Sequence, residues 1–269
     1  MKNIGIVGAG TFGSILARRL VQAGHRVRIA NSRGPETLRR IEIETGALAV
    51  DILDAATGAD ILILSIPLGR MGELPRRIFD RMSDDIAVID TSNYVPARDG
   101  TIADIEAGMP ETAWTSIQVG RPLVKALNSI SELSLEHRGQ ASGRKGRIAL
   151  PVSGDHAEHR AAALRLVEDL GFDGLDTGPL EDSWRQQLGT PAYATDPDER
   201  QLIRLRARAD LDSLGRKRDE AMQLMRKLPA DFPKAELLQV ARLMAGLDQG
   251  RIRSWMALGK LGLALLPRA

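Results

Sequence analysis

Residues 4–33, IGIVGAGTFGSILARRLVQAGHRVRIANSR, constrain the fold more than any other stretch of the chain. They read as a buried strand over 4–7, a glycine-rich turn, an amphipathic helix and a second strand over 26–30. Gly8, Gly10 and Gly13 form G-x-G-x-x-G at the junction of strand and helix. The first glycine permits a tight turn, the second lets a pyrophosphate reach the backbone, and the third lets helix and strand pack closely. The helix N-terminus adds free N–H groups and the positive end of its dipole. In this context the motif points to a dinucleotide site; the bland alternative is a tight structural turn.

The end of the second strand indicates which dinucleotide. An NAD site places Asp or Glu about 20 residues beyond the glycines, to bind the ribose 2′-hydroxyl. This chain has Asn31-Ser32-Arg33, and no carboxylate before Glu36. A hydroxyl and a guanidinium suit a 2′-phosphate, so NADP(H) is expected. Pro35 is placed to start the next helix. The competing reading has Ser32 capping that helix and Arg33 as a solvated charge.

Strand and helix signals alternate after this point, which argues for a mostly parallel, doubly wound Rossmann sheet. Further strands are expected over 47–50, 60–66, 86–90, 123–127, 148–152 and 172–176, and helices over 71–82, 155–170 and 180–188. Beyond residue 196 the signals are helical only. One helix runs on to Met225, a second covers about 234–247 after Pro229 and Pro233, and a last segment carries Trp255. The expected fold class is therefore α/β, with a Rossmann domain over 1–178 and a small all-helical C-terminal domain over 179–269.

Charge and composition bound the partners. The net charge of +2 argues against bulk nucleic-acid binding, although residues 196–269 hold 15 Lys/Arg against 10 Asp/Glu. The absence of cysteine excludes disulfides, thiolate catalysis and cysteine-ligated metals. The apolar stretch 252–266 is too short, and too broken by Arg253 and Lys260, to span a bilayer. With a strand starting at once after Met1, no signal peptide is expected and a cytoplasmic protein is.

In a doubly wound sheet, ligands bind beyond the carboxyl ends of the strands. Those ends are Ser65-Ile66-Pro67, Asp90-Thr91-Ser92-Asn93 and Lys125-Ala126-Leu127-Asn128. Pro67 suits a wall for the nicotinamide ribose, or merely ends a strand. Thr91 and Asn93 either hold ribose and carboxamide or satisfy their own turn. Lys125 is weighed as a proton donor against an ion pair at the sheet edge, and the ion pair is preferred. His25 lies in a turn remote from the strand ends, Asp155 is expected to cap the helix beside His156, and His137 and His159 carry no pattern. No acid/base pair or triad emerges, so the catalytic residues stay unassigned. Transfer between two redox cofactors needs positioning more than a strong acid, whereas carbonyl reduction needs a proton donor.

The stretches GIVGAGTFGSILARRLVQAGHRVRIANSRGPETL, LSIPL, VIDTSN, VKALNSI, LPVSGD and DTGPLEDSWRQQLGTP resemble, in order, the NADP oxidoreductase family that works with the deazaflavin coenzyme F420. The same domain type occurs as the NADPH-binding module of membrane ferric reductases. The resemblance implies that Thr11 and Phe12 with Gly10 line the pyrophosphate and that Ser32 and Arg33 hold the 2′-phosphate. It further implies that Ile66 and Pro67 border the ribose, and that Ala126 and Asn128 approach the nicotinamide. Family members often carry a lysine where this chain has Thr37, and compact members lack the roughly 70 residues after Pro197. The implied activity is hydride transfer between NADP(H) and a small-molecule acceptor, a deazaflavin or flavin. The alternatives are a reductase of a small carbonyl or imine and an NADPH-binding sensor or interaction module. The apolar residues Trp255, Met256, Leu258, Leu261, Leu263, Leu265 and Leu266 make a homodimer the expected assembly.

Overall fold

A computed structural model describes residues 1–80 and 82–266. The buried apolar runs form β1 (Asn3–Val7), β2 (Arg26–Ala30), β3 (Leu48–Ala49), β4 (Ile61–Leu64), β5 (Ala87–Asp90) and β6 (Val124–Lys125). They build one sheet in the order β3-β2-β1-β4-β5-β6, with every pairing parallel. This is the doubly wound arrangement, with its crevice between β1 and β4. β7 (Ala149–Val152) and β8 (Asp173–Asp176) pair in parallel as a second sheet, joined to β6 by a single antiparallel bridge between Lys125 and Ser153.

Alternation along each strand divides the core in two. Ile4, Ile6, Ile61, Ile63 and Ile89 face one layer, where α1 (Thr11–Gln22) packs, with Leu16 and Leu20 fully buried. Val7, Leu62, Leu64 and Val88 face the other, against Met71, Leu74 and Ile78. α2 (Arg39–Thr45) follows β2. Between β5 and β6, where no element was expected, the chain forms α3 (Pro96–Asp99), α4 (Ala103–Glu106) and α5 (Glu111–Val119). α6 (Glu132–His137) follows β6, and α7 (Ala157–Asp169) joins β7 to β8.

All eight expected strands form; β3, β5, β7 and β8 are one or two residues shorter than anticipated, β4 and β6 three shorter, β2 matches and β1 starts one residue earlier. β6 stops at Lys125 because Leu127 takes a left-handed φ of 61°. Two expected helices are corrected. The stretch 71–82 holds two 3-10 turns, Leu68–Glu73 and Arg76–Ile78, because Pro75 lacks an N–H and keeps Leu74 extended. The stretch 180–188 is a 3-10 turn over Leu180–Gln186, in which Leu180, Ser183 and Gln186 recur every third residue and are all buried.

The chain then continues as α8 (Glu199–Ala207), α9 (Leu214–Lys227), α10 (Lys234–Met244) and α11 (Ile252–Ala264). Asp198 starts α8 through a capping box with Gln201. The single helix expected up to Met225 breaks between α8 and α9, where Asp210, Asp212 and Ser213 cluster and the Ser213 hydroxyl donates to the Asp210 carbonyl. Leu202 and Leu205 of α8 pack with Ala149 of β7. Ala257 and Leu261 of α11 pack on Val240 of α10, with Leu258 and Leu265 beside them, while Ile252, Trp255, Met256, Leu263 and Leu266 are exposed. Among the described residues no helix is long and apolar enough to cross a membrane.

Candidate functional site

The strands end level. Ala30, Val7, Leu64, Asp90 and Lys125 lie in one register row across β2, β1, β4, β5 and β6. The next residue of each strand, from Asn31 through Gly8, Ser65 and Thr91 to Ala126, forms the rim of the crevice. The rim brings together the glycine turn, Asn31 and Ser65, with Ile66 one residue and Asn93 two residues beyond it.

The three glycines have three different reasons. Gly8 has φ 117°, and a Cβ there would lie 2.0 Å from the Ser65 carbonyl oxygen. A Cβ on Gly13 would lie 2.0 Å from the Gly8 carbonyl oxygen. Gly10 is different: a Cβ on it meets nothing within 4 Å. Gly8 and Gly13 therefore serve the fold, and Gly10 keeps a space open. Gly10 is also the N-cap of α1, with no side-chain cap and no acidic residue in the first turn. Exposed Thr11 and half-buried Phe12 sit at that uncapped end, where unpaired amides favour an anion.

The loop after β2 is folded by its own polar groups. Asn31 accepts from the Arg33 amide through Oδ1 (2.9 Å) and donates through Nδ2 to Thr37 Oγ1 (2.9 Å), which itself donates to the Gly34 carbonyl (2.8 Å). Thr37 thus closes the loop. Ser32 and Arg33 are exposed, and neither side chain bonds to another described residue. Ser32 is not a helix cap: Pro35 opens a 3-10 turn whose N-cap is Gly34, without side-chain capping.

Behind the rim the polar side chains are already committed. The Thr91 hydroxyl donates to the Leu64 carbonyl (3.2 Å), so it satisfies its own turn. Asn93 and Asn128 exchange amide contacts, with Asn93 Nδ2 on the Asn128 carbonyl and Asn128 Nδ2 on Asn93 Oδ1, both at 3.1 Å. Ala126 is fully buried. Gln186 locks this pair from below. Its Nε2 donates to Asn128 Oδ1 (3.1 Å), the Lys125 carbonyl (3.3 Å) and the Pro151 carbonyl (3.3 Å), while its own carbonyl accepts from Asn128 Nδ2 (2.9 Å). Arg206 of α8 reaches Gln186 Oε1 at 3.3 Å, and burial pushes its guanidinium down to about 10.

Lys125 belongs to a closed ion-pair cluster. Its side chain is fully buried; Nζ donates to the Ser92 carbonyl (2.5 Å) and Glu111 Oε2 (3.0 Å), with Asp90 Oδ2 at 3.9 Å. Asp90 is held in turn by the hydroxyls of Thr112 (2.6 Å) and Thr115 (2.9 Å). Burial raises the Glu111 carboxyl, and Lys125 opposes the rise. Glu111 and Gln186 were not foreseen; a lysine inside the apolar run VKAL demands a buried counter-charge, but nothing local names it. Asp155 does not cap α7, since its carboxylate accepts from the Leu180 amide (2.9 Å). His25 accepts from the Lys2 amide at the opposite end of the strands, and His159 bonds the Asp84 carbonyl. Among the described residues no His, Asp or Glu cluster could hold a metal ion.

A family profile described as NADP oxidoreductase coenzyme F420-dependent matches residues 3–94. Over 70 residues the chain is 37% identical to the protein YjhV of Escherichia coli K12, a match covering 26% of this chain and 51% of that one, so it spans about half the length of this curated relative. The hypothetical protein SMa0349 of Sinorhizobium meliloti is similar in structure, with a TM-score of 0.61 and 32% identity over 72% of this chain and 94% of that one. A proposed F420-dependent NADP-reductase of Arthrobacter sp. FB24 has the same fold, with a TM-score of 0.53 and 21% identity over 67% of this chain and 86% of the other.

Proposed function

The chain belongs to the family of F420-dependent NADP oxidoreductases, and on that basis we propose that it transfers hydride between NADP(H) and a deazaflavin or flavin-like acceptor. The observation that carries the cofactor half is the open space at Gly10 in front of an uncapped helix end. A pyrophosphate fits there without moving the chain. The Gly10, Thr11 and Phe12 end of α1 would hold it, Ser32 and Arg33 the 2′-phosphate, and Ser65, Ile66 and Pro67 the ribose wall. The dihydronicotinamide supplies the hydride, and reduction of the acceptor takes up one proton besides.

The remaining residues position and exclude. The paired amides of Asn93 and Asn128 would form the floor behind a bound nicotinamide. Lys125 is withdrawn beneath Ser92, its ammonium engaged by Glu111, so it offers no proton at the rim. That favours transfer between two redox rings over reduction of a carbonyl. Oxidation of NADPH, followed by absorbance with the deazaflavin coenzyme, with flavins and with a carbonyl and imine panel, tests the reading; turnover with the panel alone overturns it.

NADPH is expected to bind more tightly than NADH. Arg33→Ala should cost on the order of 1–3 kcal/mol of NADPH affinity, the loss of a hydrogen bond to a charged group. NADH affinity should barely change. A calorimetric titration giving equal losses for both cofactors would detach Arg33 from the 2′-phosphate.

A homodimer contact on the outer face of α11 is the assembly we favour. Ile252, Trp255, Met256 and Leu263 are exposed there together, and apolar patches of this kind mark interfaces. Met256→Glu with Leu263→Glu should halve the mass measured by light scattering and leave the inner face on α10 intact. A wild-type chain that is monomeric, or a variant of unchanged mass, rejects the contact.

A further inference from the structure

Beside the rim lies a cavity of about 310 Å³, walled by Tyr94, Glu106 and Glu111 on one side and by Gln187, Gly215 and Arg218 on the other. Tyr94 directly follows Asn93, and Glu111 of the lining pairs with Lys125 at the end of β6, which ties the cavity to the strand ends. Its far wall is the start of α9, where the charges run the wrong way for a helix end. Ser213 supplies no side-chain cap, no acid occupies the first turn, and Arg216, Lys217 and Arg218 stand there instead. Cations at a helix N-terminus oppose the helix dipole, and an anion in front of them offsets that repulsion. The amides of Gly215 and Arg216 make no backbone hydrogen bond.

A second observation points the same way. Gln187 is 3% exposed, and its Nε2, a pure donor, has no partner. The acids of the cavity are mostly spoken for. Glu106 accepts from Tyr94 Oη (3.0 Å) and from Arg218 Nη2 (2.9 and 3.1 Å), and Glu111 is paired with Lys125, which leaves Asp212 at the mouth. Arg216, also in the lining, is held only by a solvent-exposed pair with Glu220, a contact of little strength that it can leave.

We infer that this cavity binds the anionic group, carboxylate or phosphate, of the second substrate, with the start of α9 and Gln187 as donors. Ile105, Leu188 and Leu214 receive its apolar part. The assignment to a second substrate rests on the oxidoreductase reading; the binding of an anion does not.

Titration with sodium phosphate and, separately, sodium glutarate at constant ionic strength, with chloride as control, reads the site through the amide resonances of Gly215 and the Gln187 side chain. Saturable shifts are expected, stronger for whichever oxyanion the substrate carries. They should weaken by about tenfold or more in Arg216→Glu and in Gln187→Leu, as for loss of a charged or buried donor. NADPH affinity should stay unchanged in both variants. Absence of saturation beyond chloride, or unchanged affinity in both variants, overturns the site. With the deazaflavin coenzyme as acceptor, Arg216→Glu should raise its KM and leave kcat near wild type. Anion binding lost in the variant with KM unaltered overturns the link to the second substrate. A wild-type chain that turns over no acceptor leaves the anion titration readable on its own.

Discussion

Gly10→Val should fold normally and lose NADPH binding altogether. The two halves of this result come from one geometric fact. A Cβ at Gly10 meets nothing within 4 Å, so the first carbon of a side chain displaces no neighbour. The branches of valine would nevertheless fill the approach that a pyrophosphate needs to reach the amides of α1. Calorimetry with NADPH, on a variant of native circular dichroism and unchanged Tm, checks both halves. Gly13→Ala provides the contrast, because its Cβ would press to 2.0 Å from the Gly8 carbonyl oxygen. There, overpacking of about 1–3 kcal/mol or more should lower stability first. Retained NADPH affinity in Gly10→Val would remove the pyrophosphate from this turn.

The second large effect is expected at Lys125 and concerns stability. Lys125→Met leaves the buried carboxylates of Glu111 and Asp90 without their cation. Breaking one partner of a buried pair costs about 3–5 kcal/mol, a large share of a typical domain's stability. The pH dependence follows from the direction of the Glu111 shift. Burial raises that carboxyl above its unfolded value, so the native state holds its proton more tightly than the unfolded chain does. Stability is then fully present at low pH and is lost as pH rises through the folded-state value. Removing Lys125 takes away the main opposition to the rise, so the deficit of the variant should grow towards alkaline pH. Adding Glu111→Gln should recover part of the loss. Urea denaturation across pH measures it, and a variant as stable as wild type at every pH would mean that the cluster is not closed to water.

The parts of this protein that were legible in its sequence are those with a local cause. Each strand announced itself as a short apolar run, and the glycine turn and Asn31-Ser32-Arg33 carry their chemistry within a few residues. What escaped depends on contacts distant along the chain. Glu111 and Lys125 are 14 residues apart, and Gln186 and Asn128 are 58 apart; only the meeting of α5 with β6, and of the 3-10 turn with the end of β6, makes them partners. The helix expected over 71–82 failed for a local reason that periodicity hides, a proline in its middle. Asn93 and Asn128 follow the ends of β5 and β6 with their amides facing each other, which residue type alone does not reveal.

The Gln186 amide also limits how the protein can be divided. A chain cut after residue 178 would keep the sheet, the glycine turn and the Asn31–Thr37 loop. It would also leave the Lys125 and Pro151 carbonyls and the Asn128 amide without the donor that serves all three. Those groups lie at the carboxyl ends of β6 and β7, where Leu127 already holds a left-handed backbone. The Rossmann sheet and the 3-10 turn are therefore one polar unit: grafted elsewhere without that turn, the sheet would keep its glycine turn and lose the hydrogen bonds that hold the ends of β6 and β7 together.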